Sequence, residues 1–177
     1  MSGGTPMEIT RKAEYAIAAL LDLALLPSGE FTLSKDIAKR QGIPANFLPQ
    51  IMAAMSRRGW VEATRGAGGG VRLAVQPSQV TVQEIIEVVE GPIAINRCLV
   101  GAGACPNQCS CPLHNVWAKA QSAMIEVLAN TTVADLARAK QVLTMPMETT
   151  ESVETSLLVQ ERSLGSETTP TTAEPRL

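Results

Sequence analysis

Two short helical segments meet at Gly42-Ile43-Pro44, and a glycine-rich run, Gly66-Ala-Gly-Gly-Gly70, follows the second of them. Few folds accommodate that order. In the first segment Leu33, Ile37 and Ala38 share a helical face, with Ser34 or Thr32 as the expected cap. Gly42 supplies the left-handed stop that ends it, and Ile43 and Pro44 open a turn. Pro49 lacks an N–H and fits only a first helical turn, so the second helix begins near Phe47 or Leu48 and runs towards Gly59. Two short helices joined by a tight turn read as a helix-turn-helix. Trp60 to Ala74 then reads as two strands around the glycines. A helix-turn-helix followed by a hairpin is the layout of a winged helix.

The flanking segments are helical. A helix is expected from about Thr10, a plausible N-cap, to Leu26, with Ala13, Ile17, Leu20, Leu21, Ala24 and Leu25 apolar at helical spacing. Thr81 and Glu84 form a capping-box pattern ahead of Val82, Ile85, Ile86 and Val89. A long helix from Leu113 to about Leu128 carries a wide apolar stripe that includes Val116, Trp117, Met124 and Val127. Such a stripe outside a compact domain seeks a partner helix. Thr132 to Asp135 starts a last short helix. The expected fold is mainly α with a small β-hairpin wing. A winged helix-turn-helix spans 7–80, and dimerisation helices with a cysteine loop at 91–112 span 81–143. From 144 to 177 the chain is Thr, Glu, Ser and Pro without apolar periodicity, the pattern of a disordered acidic tail.

Charge is uneven. Through Val75 there are nine Lys/Arg and six Asp/Glu, and the remainder reverses that balance. A basic first half suits a polyanion, and a winged helix places its second helix in the major groove of double-stranded DNA. Asn46 and Gln50 carry amides that can pair with adenine edges. Arg57 and Arg58 are expected phosphate contacts. Arg65 and Arg72 flank the wing glycines, with Gly66 beside Arg65 at the tip. An arginine at such a tip can enter a narrow minor groove.

Cys98, Cys105, Cys109 and Cys111 fall within fourteen residues, followed by His114, and the chain has no other cysteine or histidine. Thiolates bind iron–sulfur clusters and zinc, and the Gly and Pro of this loop let several sulfurs turn towards one centre. Zinc motifs usually show two close pairs, whereas the gaps here are six, three and one. Clustering favours an iron–sulfur group, with zinc and a thiol switch open. No secretory pattern opens the chain, and its longest apolar run, Ala16 to Leu26, is broken by Asp22. A cytoplasmic protein without a membrane partner is expected. In a reducing compartment such a group of cysteines binds metal or does redox chemistry more often than it forms structural disulfides.

Several segments resemble the IscR/NsrR-type iron–sulfur winged-helix regulators of bacteria. They are Met7-Glu-Ile-Thr-Arg-Lys-Ala-Glu-Tyr-Ala16, Asp36-Ile-Ala, Ile43-Pro44, Phe47-Leu48, Arg65-Gly-Ala-Gly-Gly-Gly70 and Cys111-Pro-Leu-His-Asn-Val-Trp117. The resemblance covers about Met7 to Lys140. It implies a homodimer on a roughly palindromic operator, joined through the long helix, and no enzymatic activity. It also implies a 2Fe–2S or 4Fe–4S cluster on Cys98, Cys105 and Cys111. His114, or Glu14 of the partner subunit, matches the family's further ligand. The gap from Cys98 to Cys105 is one residue longer than the family's common spacing, and Cys109 is an extra thiol that could itself be a ligand. These departures leave the cluster type open. The rival expectations are a zinc or thiol-switch regulator, and an iron–sulfur electron-transfer protein that uses its winged helix for docking.

Overall fold

The computed structural model of the chain describes residues 9–144 apart from 67, 102, 108 and 109. Helix α1 (Arg11–Ala24) starts at Thr10, whose hydroxyl accepts from the Ala13 N–H. It buries Ala13, Ala16, Ala19, Leu20 and Leu23, so small side chains let its neighbours approach closely. Ile17, Leu21 and Ala24, expected on its inner face, are only half-buried.

Helix α2 (Ser34–Gln41) ends at Gly42, which takes the left-handed conformation at φ 62°. Its N-terminus departs from expectation. Leu33 occupies the cap position, and neither Ser34 nor Thr32 caps with its side chain. Thr32 is used elsewhere. Its backbone is extended and exchanges two hydrogen bonds with Val71, at 3.0 and 2.8 Å. Helix α3 (Leu48–Arg57) follows the turn, with Pro49 in its first turn where a missing N–H costs nothing.

Strands β1 (Val61–Thr64) and β2 (Gly70–Leu73) pair antiparallel, Val61 opposite Leu73 and Thr64 opposite Gly70. The Thr32–Val71 bridge adds a third edge and fastens this hairpin to the segment ahead of α2. Glycine is required where these backbones meet. A Cβ on Gly70 would lie 2.5 Å from the Thr32 carbonyl oxygen, and one on Gly69 2.3 Å from that of Thr64.

Helix α4 (Val82–Glu90) carries the expected capping box of Thr81 and Glu84. All four of its expected inner residues, Val82, Ile85, Ile86 and Val89, are buried in one core with α1 and α3. Helix α5 (Pro112–Asn130) is nineteen residues long and none of them is buried. Helix α6 (Val133–Thr144) returns to the core through Val133, whose N–H donates to the Val80 carbonyl. Hydrogen bonds from the Thr132 hydroxyl and N–H hold the Asp135 carboxyl below its ordinary range and fix the start of α6. Of the expected tail over 144–177, Thr144 is the last residue of α6, and the rest lies outside the described residues.

Among the described residues one charged side chain is buried in this apolar frame. Asp22 is 6% exposed. Arg40 reaches it from α2 with Nε 3.0 Å from Oδ1 and Nη2 2.6 Å from Oδ2, and Gln41 donates to Oδ1 at 2.7 Å. Burial alone would raise this carboxyl. The hydrogen bonds from Arg40 and Gln41, with the charges of Arg40 and Lys140, outweigh it and hold the group below its ordinary range. Arg40 also donates to the Thr32 hydroxyl at 3.2 Å. The buried carboxylate thereby orients α2 and the bridge that carries the wing.

Candidate nucleic-acid interface and cysteine loop

Helix α3 divides its residues cleanly. Leu48, Ile51, Met52, Ala54 and Met55 are buried, and Pro49, Gln50, Ala53, Ser56 and Arg57 are exposed. Asn46 is exposed in the turn just ahead of the helix. Both expected groove residues, Asn46 and Gln50, therefore stand on the open side. The start of the helix is anchored from behind. Phe47 meets the Tyr15 ring of α1 edge-on at 5.4 Å, and the Phe47 N–H donates to the Pro44 carbonyl.

The four expected arginine contacts divide into two kinds. Arg57 and Arg65 are exposed and, among the described residues, form no ion pair. Arg65 and Gly66 lie at the hairpin turn, which the Gly69 N–H closes on the Gly66 carbonyl. Arg72 is held within the protein. It donates twice to Glu62, its opposite residue across the hairpin, at 2.9 and 2.7 Å, and lies 4.6 Å over the Phe31 ring. Arg58 lies over Trp60 and 3.9 Å from Glu84. Arg72 and Arg58 thus brace the wing and the end of α3. Lys35 and Lys39, exposed on α2, extend the basic surface. Sequence reasoning passed over them; Arg40, next to Lys39 in the chain, turns instead to Asp22.

The cysteine loop leaves α4 at Gly91. Asn96 caps a single 3-10 turn over Arg97–Leu99, accepting from the Cys98 N–H at 3.4 Å. The loop's start is pinned to α5 by the Ile95 N–H donating to Gln121. Cys98 is buried at 8% exposure, Cys105 and Cys111 are half-buried, and all three are free thiols. Cys111 is the N-cap of α5, and the His114 N–H donates to its carbonyl at 3.1 Å. The Nδ1 atom of His114 is buried and has no hydrogen-bond partner. Among the described residues no three His, Cys, Asp or Glu side chains converge on one point. Glu14 is exposed on α1 and paired with Arg11 at 3.0 Å. Cys109 lies outside the described residues.

A winged helix with an outward-facing α3, uncharged as far as Ser56, and an arginine-tipped hairpin is the layout of a DNA-binding transcriptional regulator. The model of the Rrf2 family, iron-dependent transcriptional regulators, matches residues 9–139. The chain belongs to that family. It is 35% identical over 138 residues to the HTH-type transcriptional regulator IscR of Cronobacter sakazakii, covering 77% of this chain and 84% of the relative. Among solved structures, IscR of T. potens superposes with a TM-score of 0.65 at 29% identity, covering 79% of this chain and 93% of the other. CymR (YrzC), the global cysteine regulator of B. subtilis, gives 0.62 at 30% identity, covering 75% and 97%. Among the described residues no helix is long and apolar enough to cross a membrane.

The donor set of the loop fits an iron–sulfur group. Three thiols are unpaired, and a ring nitrogen is shielded from water with no hydrogen bond to compensate. A buried polar atom left unsatisfied costs about 1–3 kcal/mol, so such atoms are rare in the absence of a ligand or a bound water.

Proposed function

We propose that this chain is an iron–sulfur-dependent, sequence-specific DNA-binding regulator that acts as a homodimer in the cytoplasm. The buried, unpartnered Nδ1 of His114, in the same segment of chain as three free thiols, carries the reading. Cys98, Cys105 and Cys111 are the proposed ligands. His114, Cys109 or Glu14 of the partner subunit is the candidate for the remaining position. When bound, a 2Fe–2S or 4Fe–4S group supplies iron that reacts with oxidants or nitric oxide and ties the loop's sulfurs together.

The chain's own contacts offer a route from that loop to the DNA face. The loop begins where α4 ends, and α1 grips that end. Lys12 Nζ donates to the Val89 carbonyl at 2.9 Å, and the Thr10 hydroxyl donates to the Glu90 carboxylate. A cation on the last carbonyls of α4 also complements the helix dipole. Further along α1, Asp22 holds Arg40, and Arg40 holds Thr32 at the root of the wing. A loop that changes shape pulls on the end of α4 and so on α1, Arg40 and the wing. A coupling of about 1–3 kcal/mol along this route changes operator affinity about 5–150-fold.

Anaerobic purification followed by the visible spectrum and assays for iron, acid-labile sulfide and zinc tests the reading. A brown protein with iron and sulfide is expected. A colourless, zinc-loaded protein would make the loop a structural site. Metal-free protein that resists reconstitution would leave a thiol switch.

The dimer reading rests on α5. It leaves Leu113, Val116 and Val127 open to solvent, the last at 66% exposure. Burying one such side chain against a second copy contributes about 1.5–3 kcal/mol. Replacing Val116 and Val127 together by lysine is expected to yield monomers in sedimentation velocity at micromolar concentration. A double variant that stays dimeric would remove α5 as the seam.

A further inference from the structure

Over the turn and first two turns of α3, every exposed side chain is uncharged. Asn46 and Gln50 present amides, Pro49 and Ala53 present apolar surface, and the first exposed charge is Arg57 at the helix end. Between α2 and α3 an open hollow of about 300 Å³ is lined mainly by Ala38, Ala45, Leu48, Pro49 and Met52. Lys35 stands at its edge, on the helix that crosses the phosphate backbone in this fold.

Base edges in the major groove ask for different partners. Guanine is read by Arg or Lys and cytosine by Asp or Glu. Adenine N6 and N7 are read by Asn or Gln, and the thymine methyl by an apolar surface. The turn and the first two turns of α3 offer the last two kinds and neither of the first two. Arg65 at the wing tip agrees with this, because A·T tracts narrow the minor groove and draw arginine into it.

We infer that the base pairs under Asn46 to Ala53 in each operator half-site are A·T pairs. The amides read their adenine edges, and thymine methyls meet the apolar surface of Pro49, Ala53 and the adjoining hollow. The inference rests on α3 being the helix that enters the groove, and it specifies what that helix reads.

Selection from random double-stranded DNA with the full-length protein, repeated with Asn46→Ala and Gln50→Ala, tests both points. Both side chains are exposed, so neither change endangers the fold. The expected result is a two-fold repeat in which each variant relaxes preference at an A·T position. Replacing the thymines at those positions by deoxyuridine, which removes only the methyl, is expected to weaken wild-type binding on the order of fivefold or more. The slope of affinity against salt should stay unchanged, because no phosphate contact is lost. Relaxation at G·C positions, or deoxyuridine sites bound as well as thymine sites, would overturn the inference while leaving α3 as the reader. An enriched sequence that neither variant alters would overturn α3 as the reader, and the inference with it.

Discussion

Replacing Cys98 by alanine is expected to give a folded, colourless protein whose operator affinity no longer depends on iron–sulfur loading. Of the three described thiols, Cys98 is the most enclosed, and its backbone is fixed by the Asn96 cap on a single tight turn. Its sulfur is therefore carried on a fixed backbone. Losing the sulfur leaves a small gap that costs on the order of 1 kcal/mol, too little to unfold the domain. The chromophore, by contrast, should vanish. Cys105→Ala and Cys111→Ala are expected to behave alike, whereas Cys109→Ala keeps the visible spectrum unless Cys109 is the remaining ligand. Iron and sulfide content, with operator titrations of loaded and stripped protein, check this. Three single variants that all retain full iron and sulfide would remove these cysteines as ligands.

His114→Ala separates two roles for the imidazole. As a ligand, its loss shifts the spectrum or empties the site. As a mere helix-start residue, it changes neither, and stability rises slightly because the unpartnered Nδ1 is gone.

What the sequence disclosed, and what it hid, follows from the range of each signal. Gly42, Pro49 and the Thr81–Glu84 box act within one turn of helix, and each marks its element where the structure has it. The inner face of α4 was legible for the same reason. Contacts between distant segments were not. Asp22 reads in sequence as a break in an apolar run, yet it is the anchor for Arg40 on another helix. Thr32 reads as a helix cap, yet its extended backbone is claimed by Val71 across the wing. Arg72 reads as a DNA contact. Counting the hairpin register would have placed it opposite Glu62, the one long-range partner a sequence could have yielded. At the cysteine loop the donor atoms are evident from composition. The burial of Nδ1 and the Lys12 grip on α4 depend on how α1, α4 and α5 come together.

Arg40→Ala is expected to destabilise the protein more than Asp22→Asn, although both break the same pair. Asp22 is 6% exposed, whereas the Arg40 side chain is 42% exposed. Removing the carboxylate charge leaves a guanidinium that water can reach. Removing the guanidinium leaves a buried carboxylate with the Gln41 hydrogen bond and the charge of Lys140 to compensate it. Breaking a fully buried pair costs about 3–5 kcal/mol, and the exposure of Arg40 places this case near the lower end, at about 3 kcal/mol. For Asp22→Asn about 1 kcal/mol is expected, since the amide still accepts hydrogen bonds. The pH dependence distinguishes this account from simple loss of packing. In the wild type the Asp22 pKa is lowered on folding, so its contribution is present above the unfolded value and is lost as pH falls through the folded one. In Arg40→Ala burial acts with less opposition and raises the carboxyl, so the penalty is greatest at neutral pH and shrinks on acidification. Urea denaturation of wild type and variant at pH 7 and near pH 4 should show the gap closing. A gap independent of pH would mean that Arg40 contributes through its alkyl chain. Because Arg40 also holds Thr32, the variant should lose wing-dependent DNA affinity under conditions where it remains folded. Adding Arg65→Ala to it should then cost less than Arg65→Ala costs the wild type, whereas Gln50→Ala should cost the same in both.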